Sequence, residues 1–270
     1  MKMLFSSACA LLILLKSCSK KEVASASRSE KTDTADVQIN YFKADSVRVT
    51  DSLKIDENLT AKYDVKVLVF PNITNKTLQD SIYSNSNLEL KSYSKESIKR
   101  GLKARNDQYY EDTKTSLKDW KPSFKQTWDQ TSDMKLFSTN GDFMTIQYTG
   151  SGYTGGAHGY YNEIYKVYDV KTNKTLQLAD VIKSRDTKIW SRILMNHFLK
   201  NDLENGQAQM LLVKEIPLNS NFYFDKENLY FLYNQYEIAA YAAGPVLIKI
   251  PFSEIKPFLN PEFRKKMKLN

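Results

Sequence analysis

Histidine and cysteine are both scarce, with two of each in 270 residues. His158 and His197 lie far apart in the chain. No H-E-x-x-H, no paired histidines and no Asp-x-Asp calcium loop accompanies them, so no metal site is expected. A G-x-S-x-G nucleophile elbow is also missing. The cysteines, Cys9 and Cys18, fall within the first eighteen residues. The body of the chain therefore has no thiol to offer as disulfide partner, zinc ligand or nucleophile, and its stability must come from its core. After the amino terminus, no apolar run is long enough to span a bilayer. Glycine is sparse too, nine in all, yet five of them crowd into positions 150–159.

The amino terminus explains the cysteines. Lys2 and the apolar stretch Ala8 to Leu15 have the form of a signal peptide. Leu15-Lys16-Ser17-Cys18 follows as a loose lipobox. The expectation is cleavage after residue 17, a lipid on the Cys18 sulfur, and attachment to a membrane of the bacterial cell envelope. An ordinary secretory peptide is the alternative. Residues 18–40 are polar, small and charged, and cannot bury enough surface to offset the entropy of ordering, so they read as a flexible tether. The formal charge of the whole chain is +8. For an exported protein this implies anionic envelope polymers or solubility rather than nucleic acid. Arg264, Lys265, Lys266 and Lys268 read as a solvated tail.

From residue 41 the patterning is that of an α+β fold: antiparallel sheet(s), a long helix in the N-terminal half, and a second helix packed on one side. The division expected is an N-terminal subdomain, 41–138, and a C-terminal domain, 139–270. Lys62 to Phe70 alternates as a strand and stops at Pro71. A short helix is predicted near 77–83, and a long one over 94–117, capped by Ser94. Strands follow at 125–137 and 143–148, joined by the Asn140-Gly141 turn, and at 160–170 and 176–181. A second helix is predicted over 185–203, with His197 on its apolar side. A hairpin spans 222–233, and a last strand, 246–250, precedes a short helix at 253–259.

Gly150-Ser151-Gly152-Tyr153-Thr154-Gly155 matches the G-x-G-x-x-G dinucleotide fingerprint in form. That motif must open a helix, whereas Tyr160 to Tyr168 has strand composition. No cofactor is expected on this ground. Gly155, Gly156 and Gly159 instead suggest a tight structural loop, as does Gly244 nearer the end. His158 could act as a general base only with an orienting partner. A loop-stabilising or ligand-contacting role is the stronger reading.

Two segments carry a resemblance. One is Tyr153-Thr154-Gly155-Gly156-Ala157-His158-Gly159. The other runs from Leu229 to Gly244 and includes Tyr236-Glu237-Ile238-Ala239-Ala240-Tyr241, followed by the strand 246–251. Together they resemble the C-terminal domain of the extracellular part of RsiV-type anti-sigma factors. Residues 50–140 are similar to the companion domain found in RsiV and ahead of the catalytic domain in PdaC-type peptidoglycan deacetylases. The resemblance implies a non-catalytic, envelope-facing domain that binds either a lysozyme-like protein or wall polysaccharide (peptidoglycan). Tyr153, His158, Tyr160, Tyr236, Glu237 and Tyr241 are then the candidate contact residues. The rival expectation is an enzyme acting on wall glycans, with His158 and either Glu237 or Asp169 as acid and base.

Overall fold

The structure, a computed structural model, describes residues 41–118, 121–202 and 206–269. The expected signal peptide, tether and Cys18 lie outside the described residues. The described residues form one compact unit.

A six-stranded sheet dominates it, with strands in sequence order: β1 (Asp45–Asp56), β2 (Leu59–Val69), β3 (Gln126–Asn140), β4 (Phe143–Tyr153), β5 (Tyr160–Asp169) and β6 (Lys174–Thr175). All pairings are antiparallel except β2 with β3. A parallel pairing needs a crossover connection. Here α1 (Lys76–Ser84) and α2 (Lys95–Ser116) supply it. Asn75 caps α1 by accepting the Leu78 N–H, and Ser94 caps α2 by accepting the Ser97 N–H. Ile98 and Leu102 of α2 are buried with Tyr63, Val65 and Val67 of β2. Met144, Ile146 and Tyr148 of β4 face the same core.

The alternate residues of β4 and β5 face a second core. Phe143, Tyr165 and Val167 pack there with a three-stranded antiparallel sheet, β7 (Phe222–Phe224), β8 (Asn228–Tyr233) and β9 (Val246–Pro251). Helix α4 (Thr187–Asn201) covers that sheet with Trp190, Leu194 and Phe198. The second long helix thus serves the second sheet. Two asparagines fasten the sheets together along the edge of β5. Asn234 accepts the Glu163 N–H at 2.8 Å and donates to the Glu163 carbonyl at 3.0 Å. Asn221 accepts the Tyr165 N–H and donates to the Glu163 carbonyl, both at 2.8 Å. Side-chain amides thereby satisfy backbone groups that a neighbouring strand would otherwise take.

The α+β architecture agrees with the sequence reading, and four local details depart from it. The strand expected at 176–181 is two residues of β6 followed by a one-turn helix, α3 (Leu178–Val181). Asp180 accepts the Gln177 N–H at 2.7 Å, an N-terminal cap that outcompetes extension. The basic tail is the helix α6 (Pro261–Met267) after the short α5 (Phe252–Ile255). Phe263 anchors α6 in the core at 2% exposure, and Lys266 Nζ reaches Asp169 at 2.6 Å. Strand β1, to which the sequence reading assigns nothing, buries only Val47 and Val49. The expected boundary at 138/139 falls inside β3.

Candidate functional site

The loop between β4 and β5 is built on glycine. Gly155 and Gly156 have φ of +89° and +98°, which L side chains rarely adopt. At Gly159 the constraint is space, since a Cβ would lie 2.7 Å from the Gly152 carbonyl oxygen. Tyr153 Oη donates to the Gly156 carbonyl at 3.0 Å and closes the loop on itself. The loop presents His158 to solvent.

Two residues of the second segment meet it there. Tyr241 opens a single 3-10 turn, Tyr241–Ala243, that ends at Gly244 with φ 66° and ψ −165°, a conformation open essentially to glycine alone. Its ring stacks on the His158 imidazole, with centroids 4.0 Å apart and planes 28° from parallel. Its hydroxyl donates to the Gly159 carbonyl at 3.1 Å. Tyr236 sits in the turn after β8 with φ +66°, a left-handed conformation for a residue with a Cβ. Its backbone N–H donates to the Ala239 carbonyl, and its ring lies 6.3 Å from His158 and 5.9 Å from Tyr241. Tyr236 is 59% exposed.

The imidazole's partners define its chemistry. Nδ1 lies 2.8 Å from the Gly159 carbonyl, which can only accept, so that nitrogen carries the hydrogen. In the neutral ring Nε2 is then the acceptor, 3.4 Å from the Tyr236 hydroxyl. A carbonyl, a phenol and a stacked ring hold the imidazole in place.

The other candidates are placed differently. Tyr153 belongs to the loop itself. Glu237 is exposed in the same turn as Tyr236. Tyr160, 50% exposed, lies over Gly152, where its hydroxyl would be 2.8 Å from an added Cβ. It faces the helix side of the sheet, away from Tyr161 and Glu163. Asp169 ends the ten-residue strand that begins at Tyr160, about 30 Å from it at the rise of a strand. It is buried and bound by Lys266, which lowers its pKa against the opposing effect of burial. It cannot orient His158. His197 is 6% exposed, and its Nε2 lies 3.2 Å from Glu254 Oε2. Burial outweighs that carboxylate and lowers its pKa.

Sequence reasoning missed Glu163. Its carboxylate accepts from the Tyr161 hydroxyl at 2.8 Å, the Gln147 amide at 2.7 Å and the Tyr165 hydroxyl. Burial, followed by the hydrogen bond to Glu163, pushes the Tyr161 phenol up to about 12. The signal was the alternation Tyr161-Glu163-Tyr165, which places the three side chains on one face of β5.

Residues 55–161 match the family described as Deacetylase PdaC, and residues 175–253 match the family described as Protein of unknown function (DUF3298). No curated protein matches. A crystal structure of a DUF3298 family member from Bacteroides fragilis is 20% identical with a TM-score of 0.70, covering 84% of this chain and 98% of that one. A DUF3298 family protein from Pseudomonas aeruginosa is 17% identical with a TM-score of 0.58, covering 82% and 96%. Identities this low speak for the fold alone. The chain thus joins a PdaC-type region to a DUF3298-type region, in a fold shared with solved DUF3298 structures.

Proposed function

We propose that this protein is a non-catalytic binding module of the bacterial cell envelope, lipid-anchored through Cys18, whose His158–Tyr236–Tyr241 cluster engages a lysozyme-like protein. The observation that carries the reading is the cluster itself. Three ring side chains from two segments far apart in sequence converge at the surface, and two of them, His158 and Tyr236, are exposed. Tyrosines with restricted rotamers are the typical anchors of protein interfaces, because they bury large area at little entropic cost. The backbone around them is strained at Tyr236 and glycine-dependent at Gly156 and Gly244. Strain held at a surface turn is a functional sign, since folding gains nothing from it. Exposed Glu237 adds an acidic contact for a basic partner.

The rival reading is an enzyme with His158 as acid/base. The Gly159 carbonyl can orient the imidazole as a carboxylate would, but among the described residues the ring's partners are that carbonyl and two tyrosines, with no carboxylate to share a proton. The test is titration calorimetry of the protein with a c-type lysozyme, wild type against His158→Ala and Tyr241→Ala. Interface anchors of this kind cost about 2 kcal/mol or more when truncated, roughly thirtyfold in affinity. Absence of binding by the wild type would sink the proposal. Turnover of wall fragments that vanishes in His158→Ala would establish the rival. Wall polysaccharide as ligand is favoured by a separate feature on the other face of the sheet.

A further inference from the structure

Three glycines of the crowded segment lie in or beside paired strands, and they differ in why they are glycine. A Cβ on Gly152 would fall 2.4 Å from the Asp129 carbonyl oxygen, and one on Gly159 would fall 2.7 Å from that of Gly152. Packing requires both. Gly150 has no such reason. It pairs with Ser132 on one side and Asn162 on the other, in the middle of the sheet. Its φ is not positive. An added Cβ would meet nothing nearer than the Thr131 carbonyl oxygen at 4.0 Å. A glycine inside a strand weakens it, and where the fold does not demand one it often marks the close approach of a ligand.

The space above Gly150 is a cavity of 190 Å³. Tyr160, Asn162, Gln130 and Ser132 line it from the sheet, and Arg105 from α2. Arg105 is fixed by donating one guanidinium N–H to the Ser86 carbonyl at 2.5 Å. Ser86 is followed by Asn87, held at φ +49°. Among the described residues, Arg105 is the only ionised side chain lining the cavity, so the site suits a neutral or anionic ligand and not a cation.

The geometry points to a saccharide site that takes one pyranose ring of a glycan chain over Gly150. A pyranose has an apolar C–H face and a rim of hydroxyl or amide groups. The half-exposed Tyr160 ring offers the matching aromatic surface. The amides of Asn162 and Gln130, the Ser132 hydroxyl and the Arg105 fork offer paired donors and acceptors for the rim. The volume admits one ring, so the rest of the chain would continue into solvent. This site does not rest on the lysozyme reading, because Tyr160 and His158 act on different faces.

Chitotetraose, titrated at millimolar concentration while amide shifts are followed by NMR, tests the assignment. Binding by the wild type is expected, with shifts centred on Gly150, Tyr160 and Asn162. Gly150→Val should fill the cavity and weaken binding roughly tenfold or more, with a melting temperature equal to or above that of the wild type, because valine favours strands. Tyr160→Ala should weaken binding to a similar degree, and it carries the test if Gly150→Val fails to fold. His158→Ala should bind as the wild type does, even if it loses lysozyme. No binding by the wild type, or full binding by Gly150→Val or Tyr160→Ala, overturns the proposal.

Discussion

Replacing Tyr236 by glycine should leave a more stable protein than replacing it by alanine, the reverse of the usual order. Both changes remove the ring that lies 6.3 Å from His158 and the hydroxyl 3.4 Å from its Nε2. Those losses cancel in the comparison. What remains is the backbone at φ +66°. A Cβ in the left-handed region costs about 1–2 kcal/mol. Glycine escapes that cost but gives up about 0.5–1 kcal/mol through the greater freedom of its unfolded chain. The glycine variant should therefore be more stable by about 0.5–1 kcal/mol, a few tenths of a molar in urea midpoint. Equilibrium urea unfolding of the two variants side by side measures this, provided their slopes agree. An alanine variant as stable as the glycine variant would refute the claim that the turn is strained at Tyr236. Both variants should bind the partner weakly. A chain that keeps tyrosine where glycine would hold the turn better has traded stability for that ring.

Other perturbations test the frame around the site. Trp190 is fully buried, edge-on to Phe231 and Phe258, with its indole N–H on the Ser184 carbonyl at 2.7 Å; Trp190→Ala should cost about 3–5 kcal/mol in chemical unfolding. Asn234→Ala leaves the Glu163 N–H without its side-chain acceptor and should cost about 1–3 kcal/mol, with hydrogen exchange rising first along β5. Gly159→Ala should destabilise by about 1–3 kcal/mol, because backbone atoms must shift to clear the new methyl, whereas Gly150→Ala should be neutral or slightly stabilising in the same thermal melt. His197 has a folded pKa depressed below 6.5, chiefly by burial, so the unfolded chain binds its proton more readily. Its contribution is fully present above that unfolded value and is lost as pH falls below it. In urea unfolding between about pH 7 and pH 5, His197→Gln should flatten the acid loss of stability.

The elements that were legible in the sequence are those whose signal is local. Ser94 before a 3.6-residue apolar rhythm marked α2, and Asn140-Gly141 between alternating runs marked the β3–β4 hairpin. What escaped depended on partners distant in the chain. Strand β1 shows only Val47 and Val49 to the core because it is an edge strand, so alternation has little to report. Helix α6 looks like a basic tail until Phe263 and Lys266 find their places, and Lys266 is held by Asp169, 97 residues earlier. The candidate site divides in the same way. His158, Tyr236 and Tyr241 were grouped because they lie in two segments of one resemblance, and nothing in either segment alone could place 158 beside 241. Tyr160 was grouped with them by proximity in sequence, but it opens β5 and points to the helix side, whereas His158 stands in the loop before the strand. That separation turns one glycine-rich segment into two surfaces. Gly155 and Gly156 shape a loop that lifts His158 toward the second sheet, while Gly150 opens a space on the helix side that packing does not require. Counting glycines found the segment. Asking what each Cβ would strike separates those the fold needs from the one it does not.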